Sequence, residues 1–185
     1  DWTGLEDFVG RFKGQIYNNL ALQAPHGVLR LAVMGWQGGS AADDQIQQMA
    51  QLARQFMELG ALGLNTGLDY VPASHSDLRE LVGITRVVAE YGGVYAAHMR
   101  GYSEAERETA IAETIAVADS AGIGVHISHF FGDERIYAST EQAHQRGVDI
   151  TFDSYCYPAG CTNLGVVLPR TLMQKPLAGF IEDMN

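Results

Sequence analysis

The feature that most constrains the fold is a regular alternation of short apolar runs with longer segments of helical periodicity. This alternation predicts consecutive βα units and a parallel sheet. We predict five strands with carboxyl ends at Met34, Thr66, His98, His129 and Tyr155, the first strand running over His26–Met34. These ends are 32, 32, 31 and 26 residues apart, close to the roughly 30 residues of one βα unit.

The segments between the predicted strands carry apolar residues at helical spacing, as the crossovers of a parallel sheet require. An additional helix is expected to lead into the first strand, because Leu5, Phe8, Phe12 and Ile16 would share one helical face. The predicted crossover helices cover residues 44–59, 76–91, 103–121 and 140–145.

Two architectures fit this pattern. A complete open parallel α/β sheet suits the length of 185 residues. A (β/α)₈ TIM barrel usually needs about 250 residues, so the chain would supply only part of it. Length favours the open sheet, whereas polar residues at the predicted strand ends favour a partial barrel, with residues 1–185 as the central segment of one catalytic domain.

The composition and charge of the chain exclude some classes of function. The chain is 46% hydrophobic with a formal net charge of −10, and it has no basic stripe that would bind nucleic acid. It has no apolar run of the roughly 20 residues that span a membrane and no signal-peptide pattern at its start, so we expect a cytoplasmic protein that acts on a small molecule. Cys156 and Cys161 are interpreted as reduced thiols.

The main chemical signal is a pair of histidines. His98 and His129 end successive predicted strands, and adjacent parallel strands lie about 4.8 Å apart, within reach of one metal ion. Imidazole suits zinc, which activates water for attack on a carbonyl. The alternative is that each histidine is an ordinary polar residue at a strand end.

Several separated motifs resemble the N-acyl-D-amino-acid deacylases, or D-aminoacylases, of the amidohydrolase superfamily. The resemblance spans nearly the whole chain but corresponds only to the third to seventh strands of the family's barrel. It implies a zinc-dependent hydrolase, with one or two ions, that cleaves a linear amide such as an N-acyl-D-amino acid. The motifs are His26–Arg30, Val33–Gly35, Gly60–Tyr70, Tyr95–Arg100, Ile127–His129 and Tyr155–Gly160.

The resemblance also implies residue roles. His98 and His129 look like two zinc ligands, and Tyr155 matches the tyrosine that hydrogen-bonds the reacting carbonyl oxygen, although it could simply pack at the barrel mouth. The family's cysteine ligand, its first-strand His-x-His pair and its general base, an aspartate on the eighth strand, lie outside this sequence. The rest of the barrel is therefore an expected partner.

Departures from the family pattern concern the substrate. Phe131 stands where the family has a lysine that holds the substrate carboxylate, and Cys161 replaces a usual serine. Arg100 could hold a carboxylate or form a salt bridge with a neighbouring acid. Unless Arg100 or another residue supplies a positive charge, we expect a preference for bulky or uncharged amides.

Three further polar residues are interpreted as structural. We expect His126 to face the helical layer, Asp153 to make a buried hydrogen bond or to orient Tyr155 or a metal ligand, and His26 to stabilise the amino end of its strand.

Two other functions stay open. Cyclic-amide hydrolases of the superfamily usually use a carboxylated lysine on the fourth strand, and residues 61–70 contain no lysine. A non-catalytic ligand-binding α/β module would lack a metal that touches both His98 and His129.

Overall fold

A computed structural model describes residues 5–162 of the chain. Their centre is a parallel sheet of five strands in the order β1-β2-β3-β4-β5. Each strand pairs with the next along the chain, without the reversal of order that defines a doubly wound open sheet. This order is that of a (β/α) barrel, and it confirms the predicted barrel-type α/β fold. The strands are β1 Ala24–Pro25, β2 Gly63–Gly67, β3 Val94–His98, β4 Gly124–Ile127 and β5 Ile150–Phe152.

Six α-helices accompany the sheet in the described part of the chain, and from the second onward each packs against the next. A short 3₁₀ turn, Ala73–His75, follows β2. None of the helices within residues 5–162 has the length and apolar character needed to cross a membrane. The helices are α1 Leu5–Gly10, α2 His26–Met34, α3 Asp43–Glu58, α4 Leu78–Glu90, α5 Glu104–Ala121 and α6 Glu134–Gln145.

Local chemistry fixes the ends of several helices. The Asp77 carboxylate accepts the backbone N–H of Glu80 at 2.9 Å and caps α4, and Asp133 caps α6 by accepting the N–H groups of Arg135 and Ile136. Gly122 ends α5 in the left-handed conformation with φ of 67°, which glycine adopts without steric cost. The observed helices α3, α4 and α5 confirm the helices predicted at residues 44–59, 76–91 and 103–121.

The predicted first strand is wrong, because His26–Met34 forms α2 and the strand is Ala24–Pro25. The buried residues of this segment are His26, Leu29, Arg30 and Met34. Their spacing of three, one and four residues is helical, and a short apolar run does not separate a buried strand from a helix.

The strands bury one face against the helices. Leu64, Tyr95 and Ile127, one from each central strand, are fully buried, as is Ile84 of α4. In β2, a Cβ at Gly63 would lie 2.1 Å from the Val94 carbonyl oxygen, so only glycine permits this close approach to β3.

A buried charged cluster joins α2 to α4. The side chains of His26, Arg30 and Glu80 are all inaccessible to solvent. Nε2 of His26 lies 2.8 Å from one Glu80 carboxylate oxygen, and Arg30 donates to the other oxygen and to the Gly39 carbonyl. The expected stabilising role of His26 is consistent with this burial, although His26 begins a helix and not a strand.

Candidate active site

Two histidines meet at the carboxyl edge of the sheet. His98 is the last residue of β3, and His129 lies two residues beyond the end of β4. Their ring centroids are 5.4 Å apart, with the ring planes at 79°. Two imidazoles that share one tetrahedral zinc, each at about 2 Å from it, would have centroids roughly 5 Å apart. The pair therefore has the spacing of two ligands to one ion.

His98 is prepared for a ligand. Its Nε2 is buried and has no hydrogen-bond partner among residues 5–162, which is costly for a polar atom unless something binds it. Burial and the neighbouring His129 lower the pKa of the His98 imidazole to about 4. The ring is consequently neutral near pH 7, which is the form that coordinates a metal.

His129 has an unusual backbone. Its φ of 59° lies in the left-handed region, which costs a residue other than glycine roughly 1–2 kcal/mol. The Asp153 carboxylate accepts the His129 backbone N–H at 2.9 Å, and this hydrogen bond is the main cause that lowers the pKa of Asp153. Asp153 thus holds the strained turn that carries His129.

The interpretation of His126 needs correction. Val125 and Ile127 are buried in the core, so His126, between them in β4, lies on the opposite face and not toward the helices. Its two ring nitrogens lie 2.9 Å from the Thr151 hydroxyl and 3.0 Å from the Asp153 carboxylate. Strand alternation could not relate His126 to His129, because β4 ends between them.

Tyr102 connects the loops that carry the two histidines, a role that no sequence pattern predicted. Its hydroxyl accepts the N–H of Met99 at 2.9 Å and donates to the Ser128 carbonyl at 3.0 Å. These residues directly follow His98 and directly precede His129. The Tyr102 ring also lies 4.9 Å from the His98 ring, so Tyr102 fixes one histidine relative to the other.

A cavity opens beside His129. Its volume is about 230 Å³, and its lining includes His129, Phe131, Tyr155 and Tyr157. The Tyr155 ring lies 5.7 Å from the His129 ring, and it stacks on Tyr157. Tyr155 and His129 therefore lie side by side in the wall of this cavity.

The described residues supply only part of a metal site. Within residues 5–162 there is no cluster of three or more His, Cys, Asp and Glu side chains that could hold an ion. The two imidazoles and the unpartnered Nε2 of His98 nevertheless fit two positions of a zinc site, which favours nitrogen ligands.

Several known proteins are similar to this chain in both sequence and fold. A D-aminoacylase of Alcaligenes xylosoxydans xylosoxydans is 34% identical over 153 residues, or 79% of this chain. An N-acyl-D-glutamate deacylase of the same organism is 30% identical over 154 residues. The crystal structure of a D-aminoacylase matches 73% of the chain and 30% of its own length with a TM-score of 0.66. The chain is related to the D-aminoacylases.

A second solved structure supports this relationship. The N-acyl-D-glutamate deacylase of Bordetella bronchiseptica, in complex with zinc and a phosphonate that mimics the tetrahedral intermediate, is 28% identical. Its TM-score is 0.77 over 82% of this chain and 34% of its own length. The chain spans 31% of the length of each of the two curated Alcaligenes relatives. No protein-family profile matches it.

In this D-aminoacylase relative, Arg100 makes the salt bridge that the sequence left as an alternative. Its Nε and Nη2 donate to the Glu113 carboxylate at 2.9 and 3.0 Å. Nη1 donates to the Ser74 carbonyl at 2.6 Å, and Nη2 also donates to the Ser76 carbonyl at 2.9 Å. The geometry therefore gives Arg100 a structural role that ties the β3 loop to the turn after β2.

Phe131 and Cys161 differ in their surroundings. Phe131 lines the cavity and packs parallel to Tyr102 with ring centroids 6.2 Å apart. Cys161 has an exposed free thiol and directly follows Gly160, which lines the cavity. A substrate contact of Phe131 is compatible with its place in the cavity wall, and that of Cys161 stays a prediction.

Proposed function

We propose that the intact protein is a zinc-dependent amidohydrolase that deacylates N-acyl-D-amino acids or related linear N-acyl compounds. The main observation behind the proposal is the pair His98 and His129, whose ring centroids lie 5.4 Å apart at the carboxyl edge of a D-aminoacylase-like sheet. In α/β barrels this edge is where catalytic groups gather. Residues 1–185 would be the central segment of a single barrel domain, with the rest of the barrel as their partner.

His98 and His129 would hold the zinc, in a site of one or two ions. Bound zinc would supply Lewis-acid activation of water and of the scissile carbonyl. The protein holds the two ring nitrogens in place before any ion arrives, because Tyr102 ties the two loops together and Asp153 holds the turn at His129. Such supports typically change metal affinity or activity by about 10- to 100-fold.

Tyr155 would act on the substrate. Its hydroxyl can donate a hydrogen bond to the carbonyl oxygen as negative charge develops there, which stabilises the transition state. Phe131 and Tyr157 line the same cavity and would form an aromatic wall beside the reacting amide. The small-molecule substrate and the cytoplasmic location are part of this proposal.

The test measures zinc content and hydrolysis in the intact protein. The variants His98→Ala and His129→Ala should each lower zinc occupancy and reduce kcat/KM for N-acetyl-D-leucine by more than about 100-fold. Loss of a metal ligand should reduce activity more than loss of a residue that only orients a ligand, for which about 10- to 100-fold is typical. His144→Ala is the matched control, because His144 is exposed on α6. Unchanged zinc content in both ligand variants would contradict the proposed site. Hydrolysis of cyclic amides alone would contradict the proposed substrate class.

A further inference from the structure

We propose that His126 positions His129 by orienting the Asp153 carboxylate, which holds the turn at His129. His126 is thus a positioning residue and not a ligand. The inference rests on the proposed function, which makes His129 a zinc ligand, and it adds a residue to that site. Its basis is a chain of hydrogen bonds that begins in β5 and ends at the His129 backbone.

The chain of hydrogen bonds gives each Asp153 carboxylate oxygen a partner of its own. Nδ1 of His126 lies 2.9 Å from the Thr151 hydroxyl, and its Nε2 lies 3.0 Å from Oδ2 of Asp153. Oδ1 of Asp153 accepts the backbone N–H of His129 at 2.9 Å. The two partners together fix the plane of the carboxylate, since each binds a different oxygen.

The chemistry of these groups gives each bond a direction. An ionised carboxylate can only accept hydrogen bonds, so Nε2 of His126 carries the hydrogen that Asp153 accepts. Nδ1 of the neutral ring is then an acceptor, and the Thr151 hydroxyl donates to it. The Val125 carbonyl lies 3.4 Å from the same hydroxyl, which is too long for a strong bond. Thr151 therefore holds the His126 ring in the orientation that serves Asp153.

The backbone of Asp153 is fixed without His126, but its side chain is not. The Asp153 N–H donates to the Ile127 carbonyl at 3.2 Å, and the Asp153 carbonyl accepts the Phe130 N–H at 2.8 Å. These bonds leave the side-chain torsions of Asp153 open, and the side chain is 48% exposed. Without the bond from His126, the carboxylate can turn toward water and release the His129 N–H.

Release of that N–H would affect the proposed metal ligand directly. The φ of 59° at His129 is unfavourable for a residue other than glycine, so the turn depends on the bond to Asp153. A change in this turn would move the His129 ring relative to His98. Residues that orient a metal ligand typically change metal affinity by about 10- to 100-fold.

The first measurement is the zinc dissociation constant of the intact protein, obtained by competition with a chromophoric chelator. His126→Leu keeps an apolar side chain but loses the donor, and it should weaken zinc binding by about 10- to 100-fold. His126→Gln retains an N–H donor and should restore most of the affinity. In an Asp153→Asn background, His126→Leu should add little, because residues that act through one another are not additive. His144→Leu, at an exposed histidine on α6, should bind zinc like the native protein.

The second measurement is amide hydrogen exchange in the zinc-free intact protein, labelled with ¹⁵N-histidine and ¹⁵N-isoleucine. His126→Leu should speed exchange at the His129 amide by about two- to tenfold, the equivalent of one hydrogen bond. The amide of Ile84, which is buried on α4, should exchange as in the native protein. General destabilisation would speed exchange at both amides, so the comparison separates positioning from a purely structural role.

The outcomes separate this inference from the proposed function. If the native protein binds zinc but His126→Leu binds it equally well, or if His126→Gln is as weak as His126→Leu, the inference is overturned and the function stands. If the native protein binds no zinc, the proposed function fails and hydrogen exchange decides the inference. Faster exchange at His129 alone would then support it, whereas no change at His129, or equal changes at His129 and Ile84, would overturn it.

Discussion

Glu80 offers the sharpest test of what holds the site's scaffold together. It lies on α4, which leads into the strand that ends at His98. Both the Glu80 side chain and its partners His26 and Arg30 have 0% solvent exposure. Burial by itself would raise the pKa of the Glu80 carboxyl, but the hydrogen bonds and charges of His26 and Arg30 outweigh it and lower the pKa below its ordinary value.

Glu80→Gln keeps the shape of the side chain and removes its charge. Arg30 would remain buried without its counter-ion, and breaking a buried pair from one side costs about 3–5 kcal/mol. The matched control is Glu90→Gln, because Glu90 pairs with Arg54 at 2.8 Å but is 57% exposed, with Arg54 32% exposed. An exposed pair contributes only about 0–1 kcal/mol.

The assay is urea denaturation of the intact protein, followed by far-UV circular dichroism. At pH 7 we expect a large loss of stability for Glu80→Gln and a small one for Glu90→Gln. Since the folded-state pKa of Glu80 is lowered, its stabilisation is present above its unfolded pKa of about 4.3 and is lost as pH falls through the folded value. The difference between native and Glu80→Gln proteins should shrink over that acid range. Equal losses for the two variants at pH 7 would refute the reasoning.

Two further predictions concern the site and the domain. Tyr155→Phe should lower kcat by about 100-fold with little change in KM, because an oxyanion donor acts mainly in the transition state; Tyr137→Phe on α6 is the control, and a change in KM alone would contradict the role. The isolated 185-residue segment should aggregate, because β1 and β5 are sheet edges within the described residues and a closed barrel leaves none. A monomer that unfolds cooperatively would contradict this.

The sequence predicted the elements whose periodicity is long or whose ends are marked. The helices α3, α4 and α5 run over 16, 13 and 18 residues, long enough for a helical stripe to be unambiguous. In contrast, β1 has two residues and shows no period. Helix α2 has nine residues in an apolar run, and such a run fits either structure.

The site was predictable where it depends on strand order and not where it depends on loops. His98 ends β3, and a parallel sheet brings the next strand's end beside it, so the pairing with His129 follows from topology. The left-handed turn at His129 and the contacts of Tyr102 depend on how the loops after β3 and β4 meet. No local sequence pattern predicts these contacts, because they join residues that come together only in the folded chain.

The same loop contacts bear on how the histidine pair is held. Tyr102 bonds to both loops, and Asp153, which follows β5, reaches back to the His129 backbone. All of these groups belong to three consecutive βα units, so the ligand pair is organised by neighbours in sequence as well as in space. The left-handed turn at His129 is unfavourable by itself, and the hydrogen bond from its N–H to Asp153 offsets part of that cost. The backbone strain therefore lies at the residue where the proposed metal would bind, which is where strained residues tend to have functional roles.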